Sequence, residues 1–459
     1  MLSKTIVARV AILLFLCGGA TQAQNPVKQT QAPAKQALEP RLNAYLNALT
    51  ALNRFSGAVL IARNGVPVLD RGYGLANAEW QIENAPTVKF RVGSITKQFT
   101  ATLVMMLQND GKLATSDPVC KFVPACPPAW RPMTLHQILT HTAGIPDYTE
   151  LPSFKSTQGL ASTPTQLLAR FKALPLDFKP GTKFQYSNSG YVLLGFVLER
   201  VTGTPYATLL KTRIFDVVHM DDSGYDDNAA IIPHRASGYT THNGKLANAA
   251  FIDMTIPYAA GSIYSTVEDL LKWDQALYTT ALLPKASLDA MFTPYKAIAG
   301  YGWAIDTQFG HKMISHNGGI DGFVSNIARY PDDKVTIIVL SNLETAPIGT
   351  ISKDLAAIVF DQPYTMPAEA HYISLGKPAL ALLAGRYRVD VAPDIIVEII
   401  PAANGVVCHV QGQTFQLRPE TATKFSSEDA MASLMFDGDG TTPAPGLVFN
   451  GQFKATRIP

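Results

Sequence analysis

Strand-like runs stand at both ends of a long helical stretch, and this layout restricts the fold more than any other feature of the chain. Near the start, Leu38 to Phe55 places Leu42, Tyr45, Leu46, Leu49 and Leu52 on one helical face. Two strand-like runs follow, Gly57 to Ala62 and Val66 to Tyr73, joined by the turn pair Asn64-Gly65. From Ser94 to Ala290 helical segments dominate. Ala101 to Gln108 is apolar and rich in good helix formers, and Tyr191 to Val201 runs up to Gly203, a fitting C-terminal cap. Ser265-Thr266-Val267-Glu268 reads as a capping box with Ser265 as N-cap, opening a helix through Leu270, Leu271 and Trp273. Strands return at Tyr301 to Thr307, Lys312 to His316, Phe323 to Tyr330 and Val335 to Ser341, before a covering helix from Ile348 to Phe360. Strands at both ends with helices between predict one α/β domain whose sheet is completed by both ends of the segment 38–361.

Beyond it the texture changes. Residues 362–378 hold Pro363, Pro367 and Pro378 without periodicity and read as a linker. Residues 379–459 then read as a small all-β, barrel-like module. Its strand candidates are Gly385 to Arg388, Ile395 to Ile400, Val406 to Val410, Phe415 to Leu417 and Leu447 to Phe449. Asn404-Gly405, Asp437-Gly438 and Asp439-Gly440 are turn signals between some of them. Hydrophobic residues make up 47% of the chain and charged ones 16%, so a sizeable core is available and disorder is excluded. A net charge of +2, with basic and acidic residues interspersed, leaves no electrostatic footprint for nucleic acid.

Residues 1–23 read as a signal peptide. Lys4 and Arg9 form its basic start, Val10 to Leu16 its apolar centre, and cleavage follows Ala23. Lipidation of Cys17 is the other reading, although Leu16 is bulky where such signals want a small residue. No other apolar run is long enough to span a membrane, so the mature chain is expected to be exported, periplasmic or secreted. Residues 24–37 are a polar, flexible lead-in. In an oxidising compartment Cys120 and Cys126, in one short Pro-rich loop, are expected to pair. Cys408 lies in an apolar alternating stretch and reads as a buried thiol.

Ser94-Ile95-Thr96-Lys97 sets an amine one helical turn after a hydroxyl, so Lys97 can reach Ser94 Oγ. A serine hydroxyl is a weak nucleophile until a base takes its proton, and lysine is such a base only with a depressed pKa. Phe90 to Gly93 reads as a strand and tight turn delivering Ser94 to a helix N-terminus, where free N–H groups can hold an oxyanion. The same spacing recurs at Ser374 and Lys377, but in the linker directly before Pro378. Tyr186-Ser187-Asn188 supplies a phenol for proton transfer and an amide for a substrate carbonyl, on a loop entering a helix. Its decoy, Tyr45-Leu46-Asn47, lies on the first helix. His316-Asn317-Gly318-Gly319 ends a strand, with glycines that permit close backbone approach and Gly319 N–H as a second oxyanion donor. Its decoy, His242-Asn243-Gly244, is more simply a hairpin turn. No Gly-x-Ser-x-Gly elbow and no His-Glu-x-x-His zinc motif occurs, and no cofactor or metal is implied.

In this order the three motifs resemble the signature of the serine β-lactamase and penicillin-binding-protein superfamily. The Tyr-x-Asn form points to its class C branch, with related D-alanyl-D-alanine peptidases, D-aminopeptidases and esterases. Leu139 to Pro146 and Ala260 to Thr266 look like stretches that recur there, with Gly144 read physically as a helix C-cap. The resemblance spans Leu38 to Phe360. It implies an antiparallel sheet flanked by helices with a helical subdomain, and the last module resembles the lipocalin-like β domain often appended to such hydrolases. It further implies that Ser94 is acylated while Lys97 and Tyr186 share the base role. Asn188, His316, Gly318 and Gly319 would contact substrate, a small molecule or a peptide. One departure stands out: class C β-lactamases carry lysine where this chain has His316, whereas histidine is usual among peptidase and esterase-like relatives. Peptides or esters are therefore expected ahead of β-lactams. The alternative is a receptor that is acylated at Ser94 without efficient turnover.

Overall fold

A computed structural model describes residues 37–242, 245–390, 395–410, 413–427, 432–449 and 453–459. The expected signal peptide 1–23, Cys17, nearly all of the lead-in 24–37 and the Asn243-Gly244 turn lie outside the described residues.

Helix α1 (Leu38–Ala51) buries Leu42, Tyr45, Leu46 and Leu49, as its periodicity predicts. It stops short of Phe55 because the chain turns at Asn53, whose φ is 55°. Strands β1 (Gly57–Arg63) and β2 (Val66–Tyr73) form the expected hairpin. Asn64 and Gly65 both take positive φ, 52° and 74°, as a two-residue hairpin turn matched to strand twist requires. The later strands are β3 (Ala304–Gln308), β4 (His311–Ile320), β5 (Phe323–Tyr330) and β6 (Val335–Ser341). β3 starts later than the apolar pattern suggests, because Gly302 at φ 77° turns the chain where a Cβ would strike the Lys97 carbonyl. The sheet order is β3-β4-β5-β6-β1-β2, antiparallel throughout, so strands from both ends of the domain meet at β1–β6 with Gly57 opposite Ser341.

Both faces of this sheet are covered, which is why β1 and β6 read as unbroken apolar runs. Val59, Ile61, Ile337 and Val339 pack against α1 and the helix Ile348–Val359. Ala58, Leu60, Ile338 and Leu340 face the larger helical side. That side holds α2 (Thr96–Asn109), α3 (Asn188–Thr202) and α4 (Val267–Ala276). Gly203 caps α3 at φ 68°. At α4 the N-cap is Thr266, not Ser265: Thr266 Oγ1 accepts from Asp269 N, while Ser265 belongs to a short strand. Cys120 and Cys126 form a disulfide.

Residues 363–376 form no helix or strand. They lean on both neighbours, with Arg54 Nη1 donating to Ala368 O and Ile373 N to Pro419 O. After a helix at Lys377–Leu383 comes a closed eight-stranded barrel whose first strand, Gly385–Val389, pairs with its last, Phe453–Ile458. Alternate side chains fill its interior, among them Tyr387, Cys408, Phe425, Phe436 and Phe449, so the described interior is packed rather than hollow. Three strands escape the sequence pattern: Lys424–Ser426, Ser433–Phe436 and Phe453–Ile458. The first two are only three and four residues long, and in the third exposed Lys454 and Thr456 alternate with inward Phe453 and Ala455. No described helix is long and apolar enough to cross a membrane.

Candidate active site

The short strand Phe90–Arg91 pairs with Tyr264 and Ser265, and Val92 N bonds Ile263 O. Gly93 then turns at φ 51°, and a Cβ there would lie 2.8 Å from Gly319 N. Across the same contact a Cβ on Gly318 would lie 2.0 Å from Val92 O. Two backbones thus touch with no side chain between them, and Ser325 Oγ ties the junction by donating to Val92 O at 2.8 Å. These glycines place the turn Gly93–Ile95 directly against β4. The motif at His316 lies inside β4, which runs on to Ile320 rather than ending there, with Gly319 opposite Val324.

The turn Gly93–Ile95 runs directly into α2 at Thr96, so Ser94 and Lys97, three residues apart, share one face. Lys97 is fully buried. Its Nζ donates at 2.9 Å to each of three oxygens: Ser94 Oγ, Asn188 Oδ1 and Ala260 O. Burial pushes the ammonium from an ordinary 10.5 down to about 7, with the Asp147 charge opposing the shift. Two of the three partners are carbonyl oxygens, which only accept. A neutral Lys97 therefore spends both its hydrogens on Asn188 and Ala260 and turns its lone pair to Ser94.

Tyr186 OH donates to Ser94 Oγ at 2.8 Å, and burial holds the phenol well above its usual range, so it stays protonated. Lys97 Nζ sits 4.8 Å from the centre of the Tyr186 ring. His316, also buried, is depressed to about 3, first by burial and then by the Lys97 cation. Its Nδ1 contacts Asn317 O at 2.5 Å. Because a carbonyl cannot donate, Nδ1 carries the hydrogen and Nε2 the lone pair. The Tyr186 and His316 rings are 6.3 Å apart. Every sequence-selected residue, Ser94, Lys97, Tyr186, Asn188, His316, Gly318 and Gly319, thus falls in one region.

The decoys fall elsewhere. Tyr45 is bound to Asp354 at 2.7 Å on the opposite side of the sheet. Ser374 and Lys377 straddle the start of the barrel's helix, and His242 pairs with Lys245 across a hairpin.

Two further residues belong to the site although the sequence reading passed over them. His141 follows the helix Leu135–Leu139 at φ 55°. Its N–H bonds Ile138 O while Thr142 N bonds Gln137 O, a Schellman ending, so the left-handed cap is His141 and not Gly144. The imidazole stacks on Tyr186 with centroids 4.4 Å apart, and Nδ1 accepts from Ser187 N at 3.1 Å. Burial, Lys97 and His316 hold it well below its ordinary pKa, hence neutral. Asp147 Oδ2 accepts from both N and Nδ2 of Asn188, at 3.0 and 2.9 Å. Its position right after Pro146, the one carboxylate closing the phrase Leu139 to Asp147, is the signal that could have marked it. Among the described residues no His, Cys, Asp and Glu cluster could hold a metal.

A family model described as Beta-lactamase matches residues 42–359, and the chain belongs to that family of serine hydrolases with the β-lactamase fold. Its most similar relatives include the Putative penicillin-binding protein PbpX of Bacillus subtilis (strain 168). That protein is 32% identical over 302 residues, covering 66% of this chain and 74% of the relative. Among solved structures, the octameric penicillin-binding protein homologue from Pyrococcus abyssi is 25% identical with a TM-score of 0.66. The match covers 91% of this chain and 99% of that one. A D-stereospecific amidohydrolase from Streptomyces sp. is 29% identical with a TM-score of 0.59, over 70% of this chain and 99% of that one.

Proposed function

We propose that the protein is an exported hydrolase of the class C-related type that forms an acyl-enzyme at Ser94 and cleaves amide or ester bonds. The observation that carries this reading is the position of Ser94 Oγ, 2.9 Å from a buried Lys97 amine and 2.8 Å from the Tyr186 hydroxyl. Above about pH 7 Lys97 is neutral and can accept the Ser94 proton as Oγ attacks the substrate carbonyl carbon. The developing oxyanion takes hydrogen bonds from the N–H groups of Ser94 and Gly319. The proton taken up by Lys97 then goes to the leaving amine or alcohol. Tyr186, in contact with Oγ, donates its hydroxyl proton as it takes up the one from Lys97, so that both return to their starting forms. Water then attacks the acyl carbon and releases the acid, and its second proton restores the Ser94 hydroxyl. Asn188 orients the substrate carbonyl side, and His316, Gly318 and Gly319 form the wall along β4.

Since His316 is neutral at any working pH, a substrate carboxylate meets no permanent cation at that position. This favours D-amino-acid amides, peptides and esters over β-lactams, and the likeness to a D-stereospecific amidohydrolase supports the same choice. The leader-like residues 1–23 and the Cys120–Cys126 disulfide support export to an oxidising compartment. The similarity to penicillin-binding proteins favours a second reading, a receptor acylated at Ser94 that does not turn over.

Purified protein should label with a fluorophosphonate and hydrolyse D-amino-acid amides or small esters in the steady state, and Ser94→Ala should lose both activities. An adduct mapped to Ser374 in that variant would overturn the choice of serine. A burst with no subsequent turnover would select the receptor instead.

A further inference from the structure

The contacts around Asn188 raise a question that the Ser94–Lys97 pair does not answer. A primary amide has two nearly isosteric ends, one accepting and one donating. If Asn188 were turned over, its NH2 would face Lys97 Nζ. It would repel the protonated amine and, once Lys97 is neutral, donate into the lone pair that must receive the Ser94 proton.

Asp147 decides the matter. Its Oδ2 accepts from the Asn188 backbone N–H at 3.0 Å and from Nδ2 at 2.9 Å, and an acceptor-only carboxylate cannot satisfy the flipped amide. The carboxylate is itself fixed, because Oδ1 accepts from Thr149 N and Thr149 Oγ1, both at 2.9 Å. It is also buried, with 7% of its surface exposed. We propose that Asp147 is a positioning residue that holds Asn188 with its oxygen toward Lys97, so that Ser94 Oγ is the group from which neutral Lys97 takes its proton. The inference rests on the acyl-enzyme reading above.

Besides Ser94 and Asn188, Lys97 is faced by groups from every element packed against it. They are Asp147 and His141 from the 140–150 loop, Tyr186 before α3 and Tyr191 on it, His316 on β4, and the Ala260 carbonyl. Of these, Asp147 is the one carboxylate, and its charge favours the protonated amine.

The test is the rate of Ser94 acylation by a fluorophosphonate, measured per folded molecule against pH. Wild type should rise through an acid limb to a plateau. In Asp147→Asn the limb should move to lower pH by about one unit, the scale of losing a nearby opposite charge. The plateau should also fall by about tenfold, because an Asn at 147 can donate as well as accept and no longer selects one orientation of Asn188. A lower plateau with an unmoved limb would reduce Asp147 to a loop-building residue, and a moved limb with an unchanged plateau would reduce it to a bystander charge. Either result overturns the proposal. Asp147→Glu keeps the charge but displaces it, so its limb should stay in place while its plateau falls. That variant decides the matter alone if the Asn form does not fold, and a wild-type plateau in it would overturn the proposal. Absence of labelling in wild type would instead defeat the acyl-enzyme reading itself.

Discussion

Replacing Lys97 by methionine should change the pH dependence of stability in a way that only a buried, proton-shedding amine can produce. Methionine keeps the unbranched length but has no charge to desolvate. In the unfolded chain Lys97 holds its proton up to about 10.5, whereas in the folded protein it gives it up near 7. Between these values the unfolded state binds the extra proton, so wild-type stability rises with pH across the window and is flat below it. A displacement from 10.5 to about 7 corresponds to about 5 kcal/mol of folding free energy forfeited at and below neutrality. Against that gain, the methionine variant leaves Asn188 Oδ1 and Ala260 O without their donor, at roughly 1–3 kcal/mol each. The two effects nearly offset near pH 7, and the variant becomes the less stable form as pH rises. Urea unfolding of both proteins at intervals from pH 7.5 to 10 should show their difference in free energy changing by about 3 kcal/mol, since each unit is worth about 1.4. The unsatisfied oxygens shift the level of that difference but not its slope. A difference independent of pH would refute the account of Lys97 as an amine neutralised by burial. The site would then hold an ordinary ammonium unable to serve as a base.

His316→Lys should shift the ratio of kcat/KM toward β-lactams by about tenfold, equivalent to roughly 1.4 kcal/mol of differential transition-state binding. The new ammonium would offer a carboxylate partner and depress Lys97 further, and an unchanged ratio in parallel assays with a cephalosporin and an ester would exclude His316 as the determinant. Replacing Cys120 and Cys126 by serine should lower stability by about 2–3 kcal/mol, the entropy of so short a closed loop. Thermal unfolding should show the loss, and non-reducing peptide mapping of the parent protein should find the two residues linked.

The parts of this molecule most legible in the sequence are those decided by local pattern. β2, β5 and β6 begin and end where the sequence places them, because left-handed turn residues at Asn64-Gly65, Gly74, Gly322 and Lys334 bound them. Ser94, Lys97, Tyr186 and Asn188 were visible because helix spacing and loop entry are local properties too. What remained hidden depends on partners distant in sequence. Ser265 looks like a cap, but its strand pairing with Phe90 moves the cap to Thr266. Gly144 looks like the helix cap and is left-handed at φ 75°, yet the Schellman bonds fall on His141, which adopts φ 55° while its ring is held against Tyr186. Asp147 carries no spacing signature, because its importance comes from an amide 41 positions later in the chain. In the barrel, Phe453–Ile458 is recognisable only once Gly385–Val389 offers it an edge.

The placement of β1 between β2 and β6 has a consequence for timing. Ribosomes deliver the N-terminus first, so Ser94 and Lys97 exist long before the backbone of Gly318 and Gly319 that backs their turn, and before the Ser341 edge that pairs with Gly57. Pairings of such sequence separation form late, since loop closure must come before the contacts that reward it. A nascent chain therefore carries the serine and the lysine on an uncompleted scaffold, with no dry cavity to neutralise the amine. Hydrolytic competence arrives only when the last strand of the sheet docks, and a chain arrested before residue 341 would be chemically mute.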